Sequence, residues 1–405
     1  MVVRGGGRGH PGYAPTMPTL ASLRFLREGD LVAVTRPPGR PWVAILRAAW
    51  EVGAAVLPID VRLSPRERKE LIERGRPTVT VDERGVRRVR GVPIDPTIAL
   101  VIATSGTAGT PRLAELSAGA VAAAVRASAT VLGAAREDRW LSCLPLAHIG
   151  GLLVVCRHLI LGAPLTFRRT ITPSVVAALP SVRFMSVVPT QLTRLLEARA
   201  DLRGFRAILV GGSRVDPALE RRARDAGVRA VPTYGMTETC GGVVYAGRPL
   251  PGVEVKAAPS GELLVRGPTL MRGYRLDAAA TAAAFYGAWL RTGDAGEVGP
   301  DGTVHAWGRL GDVIVSGGEK IWPADVEAAL ADHPEVDAVA VSAAPDPEWG
   351  QRVVARVVPR RPAAPPSLES LREHAGASIA RHKLPRELIV VDHLDRTALG
   401  KIRRR

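Results

Sequence analysis

Short β-branched runs alternate with helical stretches through the first half of the chain, and this alternation limits the fold more than any other feature. Residues 30–35, 98–103 and 205–212 are predicted strands. Residues 40–54 and 190–200 are predicted helices, the second with leucines at helical spacing. Strands that alternate with helices form largely parallel sheets covered on both faces. The sequence therefore predicts an α/β fold.

The pattern changes twice further along the chain. After residue 245, glycine-punctuated short strands predict antiparallel β-structure. Beyond residue 311, predicted helices at 323–331 and 368–380 alternate with strands, which is typical of a small α+β module. We expect a disordered leader at 1–17, a large domain at 18–310 and a small mobile domain at 311–405.

Composition narrows the class of protein. The net charge of +16 comes mostly from scattered arginines, and aromatic residues, which stack on bases, make up only 4% of the chain, so a nucleic-acid partner is not expected. Three cysteines with no CxxC pair predict neither disulfides nor a zinc site and fit a reducing, cytoplasmic location. The apolar stretch 151–162 is too short and too charged to insert into a membrane.

The stretch TSGTAGTPR, residues 104–112, directly follows a predicted strand, where α/β sheets place their ligand loops. Glycines let the backbone approach an anion, while hydroxyl groups and the Arg112 cation add donors and charge. The combination suits a polyphosphate, although it lacks the spacing of a P-loop. A simple surface turn is the alternative interpretation.

A second cluster, YGMTETCGG, begins at Tyr234 and follows another predicted strand. Tyr234 offers a flat face for a base, Thr237 can bond a phosphate, and Glu238 can hold magnesium. Further on, Asp294 is expected in a tight turn, where its carboxylate could take two ribose hydroxyls. Near the end of the chain, Lys401 follows a glycine in an otherwise basic tail.

With these motifs in order and at fitting spacing, the chain resembles the acyl-adenylate-forming superfamily of acyl-CoA synthetases, luciferases and peptide-synthetase adenylation domains. The match begins near residue 30. The resemblance implies two α/β sheets plus a β-barrel in the large domain and a small mobile α+β domain. It also implies ATP, magnesium and coenzyme A: a carboxylate and ATP give an acyl-adenylate and pyrophosphate, and a thiol then displaces AMP.

The resemblance assigns roles position by position. The loop residues match those that hold the β- and γ-phosphates, with two departures: Ala108 lacks the usual hydroxyl, and Arg112 replaces the usual lysine. Glu238 and Thr107 are the expected magnesium ligands. The expected nucleotide and CoA contacts are Thr104, Ser105, Gly106, Thr107, Gly109, Thr110, Arg112, Gly211, Gly212, Ser213, Tyr234, Gly235, Met236, Asp294, Arg309, Gly317 and Gly318.

The expected catalytic residues are Lys401, Thr237, Glu238 and His148. His148 matches the histidine that lines the acyl pocket and gates the thiol tunnel, although Ala147 replaces the usual aromatic residue before it. The stretch SGGEK at 316–320 resembles the loop that shapes the pantetheine channel and favours CoA over a carrier protein. The hinge position is Gly311, where glycine permits rotation but loses a polar contact.

Within the superfamily, phrases at 187–199, 208–228 and 249–256 resemble o-succinylbenzoate-CoA ligases of menaquinone synthesis. A synthetase for another aromatic or medium-chain acid is the near alternative. Ala108, Arg112 and Gly311 leave open a non-catalytic adenylate-binding protein, against which Lys401 and Glu238 argue. Gln191, Ser213 and Arg214 are weaker pocket candidates, the arginine that binds a second substrate carboxylate is not identified, and a homodimer is left open.

The role implied for Lys401 predicts a split between the half-reactions. Lys401→Ala should abolish adenylation, since loss of one preorganised donor costs roughly 10²–10³ in rate. Thioester formation from a supplied acyl-adenylate should be largely spared, because the small domain turns Lys401 away in that step. Separate assays of the two steps check this; equal loss of both would rule the role out.

Overall fold

A computed structural model of the chain describes residues 23–104 and 111–395. The expected leader, most of the predicted phosphate loop and Lys401 lie outside these residues. The described chain forms four sheets with helices around them. The predicted α/β class is confirmed, with a large part built from sheets and helices and a smaller C-terminal α+β part. The predicted boundary between residues 310 and 311 stays a prediction.

The first sheet has seven strands, in the order β16-β6-β5-β2-β1-β3-β4. Its inner strands are parallel, and both edges are antiparallel. The strands are β1 (Leu31–Val34), β2 (Ala55–Pro58), β3 (Val79–Asp82), β4 (Gly85–Arg88), β5 (Ile98–Thr104), β6 (Arg112–Ser117) and β16 (Gly273–Tyr274). Helices α1 (Arg40–Glu51) and α2 (Pro65–Gly75) connect the early strands. A capping box between Ser64 and Glu67 starts α2.

The second sheet also has seven strands, in the order β13-β12-β11-β10-β9-β7-β8. They are β7 (Arg139–Ser142), β8 (Leu165–Phe167), β9 (Val182–Val187), β10 (Ala207–Val210), β11 (Ala230–Met236), β12 (Gly241–Tyr245) and β13 (Arg248–Pro249). Its helices are α3 (Ala118–Leu132), α4 (Ile149–Leu161), α5 (Pro173–Ala177), α6 (Pro189–Glu197) and α7 (Pro217–Asp225). The strands from β8 to β11 are parallel, as predicted, and β12 and β13 run antiparallel.

Helices α3 and α4 lie between the two sheets. In α4, Leu152 packs in a core with β5 of the first sheet, whereas its neighbour Val154 packs with Trp140 and Phe184 of the second. A helix that is buried on both sides is apolar all round. This packing explains why residues 151–162 are so apolar. Among the described residues, no helix is both long and apolar enough to cross a membrane.

The third sheet is antiparallel, as the glycine-punctuated pattern predicts, and stands where the β-barrel was expected. Its strands are β14 (Glu254–Ala257), β15 (Glu262–Arg266), β17 (Phe285–Tyr286), β18 (Trp289–Val298) and β19 (Val304–Arg309), with α8 (Ala278–Ala284) before β17. The predicted tight turn at Asp294 is wrong, because β18 continues through this residue. Pairing with β15 on one side and β19 on the other keeps this segment in a continuous strand. The register of both pairings shifts close to Asp294, so the strand is irregular there but does not turn.

The C-terminal sheet contains β20 (Ile314–Ser316), β21 (Glu319–Ile321), β22 (Val336–Asp346), β23 (Gly350–Pro359) and β24 (Glu387–Val390). Helix α9 (Pro323–Ala331) has the predicted bounds, and α10 (Leu368–Gly376) ends earlier than predicted, at a glycine that disfavours helix. These elements share one apolar core, which includes Ile314, Val326 and Leu371.

A stack of rings and cations reinforces the second sheet. Trp140 and Phe184 are partners on adjacent strands, with ring centroids 4.8 Å apart and planes at 18°. The buried Arg157 guanidinium lies 4.4 Å from the Trp140 ring centroid, and its Nη2 donates to Ser128 at 2.9 Å. Burial lowers the pKa of Arg157. The stack therefore places a cation on an aromatic face inside the core.

Phe184→Ala should lower the free energy of unfolding by about 3–5 kcal/mol, because it leaves a cavity where a fully buried ring was stacked. Denaturant titration monitored by tryptophan fluorescence measures the change. The matched control is Phe25→Ala at a side chain 66% exposed, which should change stability by about 0.5 kcal/mol or less. Similar losses for both variants would contradict the importance of the stack.

Candidate functional site

The carboxyl ends of the parallel strands carry most of the predicted site residues. Thr104 ends β5 and pairs directly with Arg112, the first residue of β6. The predicted phosphate loop is therefore the connection of an antiparallel pair, and its two flanks are neighbours. Thr104 is buried and Arg112 is exposed. The loop residues Ser105, Gly106, Thr107, Gly109 and Thr110 lie outside the described residues.

The corner between β11 and β12 holds the second predicted motif. A Cβ on Gly235 would lie 2.1 Å from the carbonyl oxygen of Gly241, so a larger residue cannot pack there. The Thr239 hydroxyl accepts from the Met236 amide at 2.9 Å and donates to the Gly241 carbonyl at 2.7 Å. Thr237 and Glu238 begin the short 3-10 helix inside this corner. The close backbone packing and the buried Thr239 hydroxyl thus fix the backbone positions from which the side chains of the motif project.

At one end of the corner, Tyr234, Asp294 and Arg309 form a linked group. The Tyr234 hydroxyl donates to Asp294 Oδ2 at 3.1 Å, and Arg309 Nε contacts Asp294 Oδ1 at 3.1 Å. Burial and the neighbouring Asp294 carboxylate raise the pKa of Tyr234, so the phenol stays protonated. Asp294 and Arg309 are directly opposed on β18 and β19. The structure therefore brings together three residues predicted to bind the nucleoside.

At the other end of the corner, Glu238 meets a residue that sequence reasoning missed. The Tyr274 hydroxyl donates to Glu238 Oε1 at 2.8 Å, and the Arg112 guanidinium lies 5.2 Å from the Tyr274 ring centroid. Burial and the Glu238 carboxylate raise the pKa of Tyr274. Tyr274 arrives from β16, which pairs with β6. No local motif marks it, because that pairing joins distant parts of the chain.

Glu238 suits a magnesium ion that is shared with phosphates. Within the described chain, the Tyr274 hydroxyl donates to only one of the two Glu238 carboxylate oxygens, Oε1. Among residues 23–104 and 111–395, no three His, Cys, Asp or Glu side chains cluster as metal ligands. Magnesium in nucleotide sites is commonly held by one or two carboxylates and the substrate phosphates. One carboxylate therefore fits this metal, whereas a cage made of protein ligands alone is not found in the described chain.

The segment Gly211–Ser213 follows β10 and lies beside β11. A Cβ on Gly211 would come within 2.4 Å of Thr233 Oγ1, so glycine allows the two strands to stay close at this edge. Gly212 has φ +85°, a conformation that favours glycine. Both Gly212 and Ser213 are exposed. Next to them, Arg214 Nη1 contacts Asp325 Oδ1 of α9 at 2.5 Å, which joins this segment to the C-terminal part.

His148 immediately precedes α4 and faces a buried carboxylate from the other sheet. Its Nε2 lies 3.7 Å from Asp60 Oδ2, and Asp60 follows the carboxyl end of β2. The Arg62 guanidinium donates two hydrogen bonds to the Asp60 carboxylate, from Nη2 to Oδ2 at 2.6 Å and from Nε to Oδ1 at 3.0 Å. Sequence reasoning found His148 but missed Asp60 and Arg62, because their neighbourhood gives no motif for the pairing.

The remaining predicted residues lie elsewhere or outside the described chain. Gly317 and Gly318 form the exposed turn between β20 and β21 in the C-terminal sheet. A Cβ on Gly317 would lie 2.6 Å from the ring of Trp349, which directly precedes β23, so Gly317 packs against a neighbour in the C-terminal sheet. Their proposed role near CoA stays a prediction. Lys401 falls outside the described residues.

Comparison with known proteins decides the family. The model for AMP-binding enzymes matches residues 87–275, and that for their C-terminal domain matches residues 325–401. A probable 2-succinylbenzoate–CoA ligase of Mycobacterium tuberculosis is 39% identical over 79% of this chain and 86% of its own length. The chain belongs to the AMP-binding enzyme family. An indoleacetate–CoA ligase of Aromatoleum aromaticum is 36% identical over 77% of this chain and 68% of its own length.

Solved structures agree with the assignment of this AMP-binding enzyme. The o-succinylbenzoate CoA synthetase of Bacillus subtilis, in complex with its acyl-adenylate intermediate, has a TM-score of 0.86 at 29% identity and covers 95% of this chain and 89% of its own. The structure of the same synthetase in complex with ATP and a magnesium ion has a TM-score of 0.85. The match covers 96% of this chain and 91% of the synthetase chain. The predicted class, an AMP-forming acid–thiol ligase, is confirmed, as are the predicted ATP, magnesium and CoA.

The nucleoside cluster yields a direct test. Asp294→Asn should raise the KM for ATP about tenfold or more, because a neutral amide loses charge-assisted hydrogen bonds and its pairing with Arg309. Steady-state kinetics with varied ATP measure the change. Asp301→Asn is the matched control: Asp301 lies in the turn after β18 and pairs with Arg248 at 2.8 Å. An unchanged KM in Asp294→Asn would contradict the proposed nucleoside contact.

Proposed function

We propose that this AMP-binding enzyme is a 2-succinylbenzoate–CoA ligase of menaquinone biosynthesis. It first joins the acid to AMP and releases pyrophosphate, and then transfers the acyl group to the thiol of CoA. Its partners are small molecules: the carboxylate, ATP and CoA. The roles given below to individual residues are part of this proposal.

The observation that carries the proposal is the layout of the corner between β11 and β12. Tyr234 at its start contacts Asp294 from the third sheet, and Glu238 at its end contacts Tyr274 from the first sheet. One short segment thus carries two different ends. Tyr234 and its partner Asp294 form an aromatic end, which we propose binds the base and ribose, and Glu238 forms a carboxylate end. A nucleoside triphosphate has the same order of parts: base, ribose, then phosphates with their metal. We infer that ATP lies along this corner.

The phosphate end gathers the groups that a polyphosphate needs. Arg112 supplies a cation, and the loop that joins it to Thr104 carries the predicted hydroxyls. When magnesium is bound, it neutralises phosphate charge and polarises the α-phosphorus towards the attacking carboxylate. Glu238 would hold it, with Tyr274 orienting that carboxylate through its hydroxyl. Thr107 is the second proposed ligand, and Lys401 is proposed to bridge the attacking carboxylate and the phosphate.

The choice of acid rests on the relatives. The two-carboxylate substrate named for the Mycobacterium tuberculosis and Bacillus subtilis proteins favours 2-succinylbenzoate. The indoleacetate–CoA ligase supports a second candidate, another aromatic acid. Ala147 stands before His148 where the resemblance implies an aromatic residue, and its smaller side chain would leave more space for either acid. We keep 2-succinylbenzoate as the main proposal because the Mycobacterium tuberculosis protein, whose name gives this substrate, has a higher identity to this chain than the indoleacetate–CoA ligase.

Thioester formation with a panel of acids tests this function. Purified protein is mixed with ATP, magnesium, CoA and one of 2-succinylbenzoate, benzoate, indoleacetate or octanoate, and the CoA product is identified by mass. We expect 2-succinylbenzoyl-CoA and AMP, with far slower turnover of the other acids. A preference for indoleacetate or benzoate would keep the mechanism and replace the substrate. No AMP release with any acid would support a non-catalytic adenylate-binding protein.

We also propose a reducing, cytoplasmic location for the enzyme. The thiols of Cys143, Cys156 and Cys240 are free and buried. Burial raises the pKa of Cys143 and Cys156 to about 12, so these thiols stay protonated and unreactive. A homodimer remains a prediction, which light scattering of the purified protein would test.

A further inference from the structure

The two half-reactions differ in their need for a proton acceptor. In the first, a carboxylate attacks phosphorus and pyrophosphate leaves, so no proton has to move. In the second, the CoA thiol, which is mostly protonated near neutral pH, must lose its proton as sulfur attacks the acyl carbon. A general base therefore assists only the second step. This reasoning rests on the proposed function.

The titratable groups of the nucleotide corner are poor candidates for this base. Tyr234 and Tyr274 remain protonated, because burial and neighbouring carboxylates raise the pKa of both. The Asp294 carboxylate is engaged by Tyr234 and Arg309, and Glu238 accepts from Tyr274. Each carboxylate already stabilises a neighbour and has a nucleotide-binding role.

The imidazole of His148 has a different setting. His148 follows the carboxyl end of β7 in the second sheet, and Asp60 follows the carboxyl end of β2 in the first. Their contact at 3.7 Å therefore joins segments that follow the carboxyl ends of strands in two different sheets, the edge at which α/β sheets bind ligands. The His148 side chain is 23% exposed, whereas that of Asp60 is 7% exposed. Nε2, which faces Asp60, is buried, so the exposed part of the ring is the part that points away from the shielded carboxylate.

Arg62 keeps Asp60 ionised and in place. Its side chain makes three hydrogen bonds to the carboxylate, of 2.6, 3.0 and 3.1 Å, and its backbone amide adds a fourth at 2.9 Å. Burial alone would raise the pKa of Asp60, but the hydrogen bonds and charge of Arg62 outweigh burial and lower it. A carboxylate fixed in this way can orient an imidazole and stabilise the imidazolium that forms when the ring takes a proton.

We propose that His148 accepts the thiol proton of CoA in the thioester-forming step, and that Asp60 is the positioning residue that orients His148 and stabilises its protonated form. The S–H bond breaks and its proton passes to the imidazole. The sulfur lone pair forms a bond to the acyl carbon, and the bond from that carbon to the phosphate oxygen breaks. AMP leaves with that electron pair, and the imidazolium returns its proton to solvent.

The experiment measures the half-reactions separately in full-length protein. Acid-dependent exchange of pyrophosphate into ATP reports adenylation, and rapid mixing of enzyme-bound acyl-adenylate with CoA reports single-turnover thioester formation. His148→Gln should slow thioester formation by about 10²–10⁴-fold. Asp60→Asn should slow it by about tenfold or more, with the CoA concentration for half-saturation little changed. In both variants this loss should exceed any loss of exchange by at least tenfold.

A matched control and a rescue separate proton transfer from structural damage. Asp82→Asn removes another carboxylate at the carboxyl end of a strand in the same sheet, where Arg87 contacts it at 2.6 Å, and should leave both rates unchanged. Added imidazole should restore part of the thioester rate of His148→Ala, because a small base can occupy the vacated space. A collapse of local structure would lower exchange and thioester formation together and would not respond to imidazole.

The outcomes distinguish this inference from the proposed function. If the wild type exchanges pyrophosphate only with another acid, the substrate proposal fails and the variants are tested with that acid. If exchange and thioester formation fall equally in Asp60→Asn and His148→Gln, or imidazole gives no rescue, the proton-transfer role is overturned. If no acid supports exchange by the wild type, both proposals fall.

Discussion

The close approach of the backbone at Gly235 and Gly241 is the constraint on which the site depends. A single Cβ at Gly235 would strike the Gly241 carbonyl. Because both positions are glycine, β11 can turn back as β12 within a short 3-10 helix, and the Thr239 hydroxyl satisfies the backbone groups inside the turn. The turn switches a parallel sheet to an antiparallel edge. It also spaces Tyr234 and Glu238 to face different sheets.

Charged groups at this edge are paired with other groups of the protein. Asp294 is paired with Arg309, Asp60 with Arg62, and Glu238 accepts from a tyrosine that burial keeps neutral. Paired or hydrogen-bonded carboxylates can stay ionised in a partly buried crevice. The same pairing holds each side chain in one orientation, which reduces the reorganisation needed when a nucleotide arrives. The cation Arg112 stands at the end of the corner that is proposed for the phosphates, where its charge would favour an anion.

The helices between the sheets explain how side chains from both sheets can meet. Because α3 and α4 are packed on both sides, they hold the two sheets at a set separation, and their cores merge with those of each sheet. His148 stands at the start of α4, so the packing of that helix also sets the distance from His148 to Asp60. A tightly packed interior transmits such constraints, because side chains there have little room to adjust.

Local pattern in the sequence predicted the strands and helices, the glycine- and hydroxyl-rich loop, and the residue types able to bind a nucleotide. These follow from periodicity and from the chemistry of neighbouring residues. The pairs Glu238–Tyr274 and Asp60–His148, and the strand that carries Asp294, could not be predicted in this way. They arise where distant segments pair or pack, and each partner alone has no distinguishing pattern. The sequence by itself therefore determined the elements and their chemical groups. Only the tertiary structure decided which groups meet, because strand order and the packing of α3 and α4 set those distances.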